Sequence, residues 1–220
     1  MDRQKRIEDS YRKAAGHYDG MLGVSAWWSK LFCRLVWGFE DTAYTVRLLS
    51  RLPDDFAGSL LDVPVGTALF TCEKYARMKD ARITCLDYSE DMMAKARERF
   101  GAAGLKNIAC VQGDVGKLPF GDESFDIVLS MNGFHAFPDK EAAFSETARV
   151  LKHGGSFLGC FYIREENKRT DFFIRRFYIP KGYFTPPFMT KNELFKKLHS
   201  LYGQAELFTV GSIACFRCVK

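Results

Sequence analysis

The chain predicts an α/β fold, a three-layer αβα sandwich around a mostly parallel seven-stranded sheet with an antiparallel closing strand. Two patterns carry that expectation. Strand-like apolar runs near 59–63, 82–87, 107–112, 125–130 and 155–162 alternate with helical periodicity over 68–79, 89–101 and 139–151. Strands joined through helices run parallel, and the helices then cover both faces of the sheet. The rhythm breaks after Ile163. A helix, ELFKKLHSLY, and two further strand-like runs, QAELFTV and SIACFRCV, close the chain. Gly211-Ser212 between those runs reads as a hairpin turn, which makes the closing strand antiparallel.

Composition agrees with one globular unit. The 220 residues are 47% hydrophobic, enough for a single sizeable core. The net charge of +5, from 32 basic and 27 acidic residues, is too mild to demand nucleic acid, and no nucleic-acid partner is expected. Seven scattered cysteines without framework spacing suggest a reducing compartment. Cys215 and Cys218 mimic a metal or redox pair, yet they sit in a strand pattern, where residues three apart face opposite ways. No metal site is expected. No leader or continuous apolar span of about 20 residues is seen, so a cytoplasmic location is expected.

In open α/β sheets, ligands sit beyond the carboxyl ends of the strands. Three segments there combine into a nucleoside pocket. SLLDVPVGTALF places Asp62 at a strand end and then a tight turn, Pro64 to Thr67, whose backbone must approach a ligand closely. Gly66 is its one permissive residue; Pro64 shapes the turn but has no N–H to donate. Asp87, ahead of Tyr88 at the tip of the second strand, is placed to accept two hydrogen bonds from a ribose diol. Asp114, followed by Val115, ends a third run, where it faces an adenine amino group. Ser130 to His135, including Met131 and Asn132, end the fourth. Plainer roles remain open: Asp87 as a helix cap beside Ser89, Asp114 as a loop carboxylate, Met92 as a core residue.

These motifs resemble the cofactor half of class I S-adenosylmethionine-dependent methyltransferases, in the branch of the ubiquinone and menaquinone C-methyltransferases and their small-molecule relatives. LLDVPVGT is similar to the family's first motif and LDYSEDMM to its ribose motif. GDVGKLPFGDESFDIVLS is similar to its adenine motif and fourth strand, and FPDKEAAFSETARVLKHGGSFLGCFY to its helix-then-strand ending. The likeness covers about residues 11 to 160 and implies a Rossmann-like sheet, S-adenosyl-L-methionine as cofactor and a small-molecule methyl acceptor. It implies that Asp62 approaches the cofactor's amino group, that Met92 packs on adenine, and that Tyr18 closes over the methionine end. Where the family alternates three small residues, this chain has Pro64, Gly66 and Ala68; Ala68 is small enough for the next helix to pack near the strand. No Asn-Pro-Pro-Tyr follows the fourth strand, which counts against enzymes that methylate DNA bases or glutamine.

The expected division is an N-terminal helical cap over 1–57, a cofactor-binding core over 58–162, a substrate-lid insert over 163–190, and a closing helix and hairpin over 191–220. Within the cap, residues 25–39 present an apolar face that includes Trp27, Trp28, Phe32 and Phe39. It packs on the sheet, roofs a substrate cavity, or lies on a membrane, the last not favoured. The insert supplies aromatic walls from Phe172, Phe173, Phe177, Tyr178, Tyr183 and Phe184. Its prolines, Pro180, Pro186 and Pro187, discourage regular structure. Arg175, Arg176 and Lys181 either hold an acidic substrate group or are simply solvated. His135 is the best-placed candidate for a general base, if the acceptor must lose a proton. A nicotinamide-dependent oxidoreductase and a catalytically silent cofactor-binding module are the rival readings.

Overall fold

The computed structural model describes Trp37 and residues 43–220. Helix α1 (Ala43–Leu49) leads into β1 (Ser59–Asp62), a short helix α2 (Cys72–Tyr75) and β2 (Arg82–Asp87). Then follow α3 (Glu90–Ala102), β3 (Ile108–Gln112), β4 (Phe125–Met131), α4 (Lys140–Val150) and β5 (Leu151–Tyr162). The insert holds α5 (Lys168–Phe173), continued by a π turn over Ile174–Tyr178. Helix α6 (Lys191–Leu201) precedes the hairpin β6 (Gln204–Val210) and β7 (Ile213–Val219). The seven strands form one sheet in the order β3-β2-β1-β4-β5-β7-β6. Strands β1 to β5 pair in parallel, and β7 runs antiparallel to both neighbours.

Alternation along the strands splits the core in two. Leu60, Ile127, Leu129, Leu158, Tyr162 and Cys215 point to one face, where α1, α2 and α3 contribute Leu48, Tyr75, Met93 and Phe100. Leu61, Val128, Phe157, Phe161, Phe216 and Cys218 point to the other, against Phe144 of α4 and Leu194 and Leu198 of α6. This period of two is what a sheet covered on both sides requires. Cys215 and Cys218 therefore lie in different layers, and each is a small apolar filler.

Side chains end several of the loops. Ser89 caps α3 by accepting the Met92 N–H, and Asp139 caps α4 by accepting the Ala142 N–H. Thr190 and Glu193 form a reciprocal capping box at α6. The helix expected over 68–79 is cut to one turn. Ala68 has φ +56, a left-handed conformation that no α-helix can pass through, so regular helix starts only at Cys72. Ala68 is therefore a turn residue and not the start of a helix. The insert departs in the opposite direction: its prolines all follow the π turn, which leaves 168–178 free to coil.

Two effects oppose each other at Ala68. An L-residue held left-handed costs about 1–2 kcal/mol. Ala68→Gly removes that strain, but it also removes a buried methyl worth about 0.8 kcal/mol and frees the unfolded chain by about 0.5–1 kcal/mol. Urea unfolding of Ala68→Gly is expected to shift stability by less than about 1 kcal/mol in either direction. A loss of 2 kcal/mol or so would contradict the strained-turn account.

Candidate active site

The carboxyl ends of the adjacent strands β3, β2, β1 and β4 open onto one cleft of about 1110 Å³, counted out to its mouth. Every cofactor-binding candidate among the described residues lines it: Asp62, Pro64, Gly66, Thr67, Asp87, Tyr88, Met92, Asp114, Val115, Met131 and Asn132. Tyr18 and the apolar face over 25–39, Trp37 excepted, lie outside the described residues.

The turn after β1 is held by a carboxylate and a guanidinium. Gly66, at φ +57, donates its N–H to Asp87 Oδ2 at 2.8 Å. The Ser89 N–H donates to Asp87 Oδ1 at 2.9 Å. Asp87 is thus no helix cap, since Ser89 has that role. A carboxylate has about four lone-pair sites, so both oxygens keep capacity for ligand donors. On the far side of the turn, Arg99 of α3 donates to the Thr67 carbonyl at 2.6 Å and to its hydroxyl at 3.3 Å. Sequence reasoning missed Arg99. It sits 32 residues away on an otherwise ordinary helix face, and no local pattern marks it.

Burial tunes two of the acids. Asp62 is 1% exposed and accepts the Tyr75 hydroxyl at 2.7 Å. Desolvation pushes its pKa up to about 7; the Tyr75 and Thr71 hydroxyls pull the other way, and the nearby Asp87 adds to the rise. Asp87 is likewise raised by burial, to about 6, against the opposing N–H bonds from Ser89, Gly66 and Tyr88. Asp114 accepts the Gly116 N–H at 2.8 Å, a local turn bond that aims the side chain while it lines the cleft. Met92 is buried but belongs to neither core layer; the core methionine of α3 is its neighbour Met93.

The loop after β4 forms the opposite wall. Asn132, at φ +55, donates its N–H to the Cys160 carbonyl at 2.7 Å and its side-chain amide to the Tyr44 hydroxyl at 3.3 Å. Gly133 packs against the first turn so closely that a Cβ there would lie 2.3 Å from Pro64 Cδ. Phe137 and Pro138 extend this wall. Lys140, at the start of α4, donates to the Phe137 carbonyl at 3.0 Å and to the Thr185 carbonyl at 2.6 Å. The Thr185 N–H donates in turn to the His135 carbonyl at 2.9 Å. The insert is thereby bonded to the loop that walls the cleft.

His135 does not sit where a general base is needed. Its ring stacks on Phe184 with centroids 4.0 Å apart, it is buried, and it is absent from the cleft lining. Burial and the adjacent Lys140 push its pKa down to about 3. Its position between β4 and α4 was legible in the sequence, but its orientation depends on Phe184, almost 50 residues later. Among the described lining residues the charged groups are Asp62, Asp87 and Asp114, with no cation and no thiol. The cleft is acidic at the β1–β3 end and apolar toward Phe70, Met131, Ala136 and Phe137.

Residues 61–159 match the methyltransferase domain family. The chain belongs to the class I S-adenosylmethionine-dependent methyltransferases. This methyltransferase is 29% identical to a demethylmenaquinone methyltransferase of Bacillus cytotoxicus over 204 residues, 92% of the chain and 79% of that protein. It is 36% identical to a chloroplastic methyltransferase of Arabidopsis thaliana over 143 residues, 62% of the chain and 40% of that protein. Its fold matches the SAM-dependent methyltransferase from Thermotoga maritima with a TM-score of 0.69 at 19% identity, covering 97% of this chain and 99% of that one. It also matches a [4+2]-cyclase, SpnF, with a TM-score of 0.68 at 20% identity, covering 95% and 75% respectively. The fold by itself therefore leaves the reaction open, and the family decides it. The nicotinamide alternative falls with that assignment.

S-Adenosyl-L-methionine is the cofactor the family implies. The cleft suits it: a buried carboxylate held only by main-chain N–H groups stands beside a left-handed glycine turn, and a third acid faces the same space. Gly133→Ala would force the β4 loop away from Pro64. The expected cost is about 1–3 kcal/mol in urea unfolding, and a variant as stable as the parent would show that the two walls are not in contact.

Proposed function

We propose that this methyltransferase transfers a methyl group to a small, partly apolar or aromatic acceptor, which meets the cofactor at the apolar end of the cleft. One observation carries the reading: the described lining residues hold three carboxylates at one end and no base, cation or thiol at the other. Such a cleft orients and desolvates its ligands and does not supply a nucleophile of its own. The bound cofactor supplies an electrophilic methyl on a sulfonium. Asp87 would accept the ribose hydroxyls, Asp114 the adenine amino group, and Asp62 the amino end of the cofactor. Phe70, Met131 and Phe137 would keep water from the acceptor. An oxygen, nitrogen or carbon nucleophile fits this scheme. An acceptor proton would leave through the acceptor's own ionisation or through water, and His135 takes no part.

The demethylmenaquinone methyltransferase relative acts, by its name, on a quinone precursor. An aromatic acceptor of that general kind would meet the apolar lining supplied by Phe70, Met131 and Phe137.

Calorimetry with S-adenosylhomocysteine tests the cofactor assignment. Asp87→Ala is expected to weaken binding by roughly 1.5–3 kcal/mol, the worth of hydrogen bonds to a charged group. An unchanged affinity would overturn the ribose role, and no binding at all to the parent would favour the silent module. Affinity should also depend on pH. Ligand hydroxyls favour ionised Asp87, whose pKa without ligand is about 6. Binding is therefore expected to be level above pH 6 or so and to fall toward tenfold per pH unit below it. In the ligand-free protein the sign reverses. The raised acids Asp62 and Asp87 contribute stability that is complete below about pH 4 and is lost as pH rises through 6 to 7.

A further inference from the structure

We propose that the outward face of residues 168–181 docks on an anionic lipid surface. Helix α5 and its π turn are two-sided. Thr170 and Ile174 are buried, and Tyr178, four residues further on, packs against Trp37 and Phe184. The opposite side exposes Phe172 at 68% and Phe177 at 40%, among the most exposed large apolar side chains of the described residues. Five exposed cations surround them: Lys168, Arg169, Arg175, Arg176 and Lys181. The Arg176 guanidinium lies 5.4 Å from the centre of the Phe177 ring.

Clustering distinguishes this face. Among the described residues none of the five cations has an ion pair, and all five fall within residues 168–181 beside the exposed Phe172 and Phe177, whereas other exposed cations without an ion pair, such as Arg82 and Lys106, stand apart in the sequence. The neighbouring acids are turned to other work. Asp171 accepts the Tyr162 hydroxyl at 2.6 Å and the Glu165 N–H at 3.0 Å, and Glu165 pairs with Arg164. Glu166 is exposed but precedes the helix. Outward phenylalanines flanked by unpaired Lys and Arg match a helix lying in the headgroup region, with rings toward the acyl chains and cations toward acidic headgroups. A nucleic-acid surface would need charge concentrated well beyond a chain total of +5.

Docking has a consequence for the reaction. The insert leaves the carboxyl end of β5 and is bonded through Thr185 to the loop walling the cleft. A bilayer at this face would lie beside the rim of the cleft, where a partly apolar acceptor partitions. That benefit rests on the acceptor class proposed above; the binding itself is measured without any acceptor.

The experiment is sedimentation of the full chain with phosphatidylcholine vesicles, with and without phosphatidylglycerol. Binding is expected only with the anionic lipid and should fade as salt rises. Arg175→Glu with Arg176→Glu should weaken partitioning at least tenfold or so, given about fivefold for each cation removed. Phe172→Ser with Phe177→Ser should also weaken it, although all charge is kept. The thermal shift given by S-adenosylhomocysteine should survive in both variants. Docking is overturned if the parent ignores anionic vesicles, if neither pair of substitutions matters, or if single-stranded RNA competes it away. Turnover of a water-soluble acceptor without vesicle binding would sink the docking and leave the methyl-transfer reading standing.

Discussion

The hydrogen bond from the Gly66 N–H to Asp87 Oδ2, 2.8 Å long, joins the two loops on which the cleft depends. It ties the turn after β1 to the tip of β2, and the strands beneath keep their ends in register, Asp62 beside Cys85. The same carboxylate receives the Ser89 N–H, so the start of α3 is fixed by the bond that fixes the turn. Arg99, further along α3, returns to grip Thr67. Turn, strand tip and helix thus form a closed circuit of polar contacts around a buried acid. Desolvation is the cost of this arrangement, and it appears as the raised pKa of Asp87.

Most of the scaffold was legible because it follows from periodicity. The strand runs, the hairpin at Gly211-Ser212 and the division of Cys215 from Cys218 all follow from side chains that alternate across a sheet. The acids at the strand ends were legible for a related reason: polar residues that end apolar runs must sit at the rim. The features that escaped depend on backbone handedness or on distant partners. Ala68 gives no sign in the sequence that it will be left-handed, and so the helix over 68–79 was overextended. The insert's helix was concealed by prolines that turn out to lie beyond it. His135 had the right address, but its ring turns to Phe184 and away from the cleft.

Methyl transfer explains why so sparse a cleft is sufficient. An electrophile delivered ready-made removes the need for a nucleophilic side chain, and the remaining task is alignment in a dry space. The lining is divided in the same way, with the carboxylates of Asp62, Asp87 and Asp114 on one side and hydrocarbon beyond.

The double attachment of Thr185 restricts how the insert can move. Its carbonyl is held by the ammonium of Lys140 and its amide by the carbonyl of His135, so the chain is pinned on both sides of a single residue. Arg164, at the segment's beginning, is fastened to the Phe188 carbonyl and the Glu193 carboxylate. Between these two anchorages α5 and its π turn are held as well, by the buried Thr170 and Ile174 and by the Tyr162 hydroxyl on Asp171, so the segment is fastened along its length and not only at its ends. The insert thereby stands as a fixed part of the body, and a ligand entering the cleft meets a wall already in place.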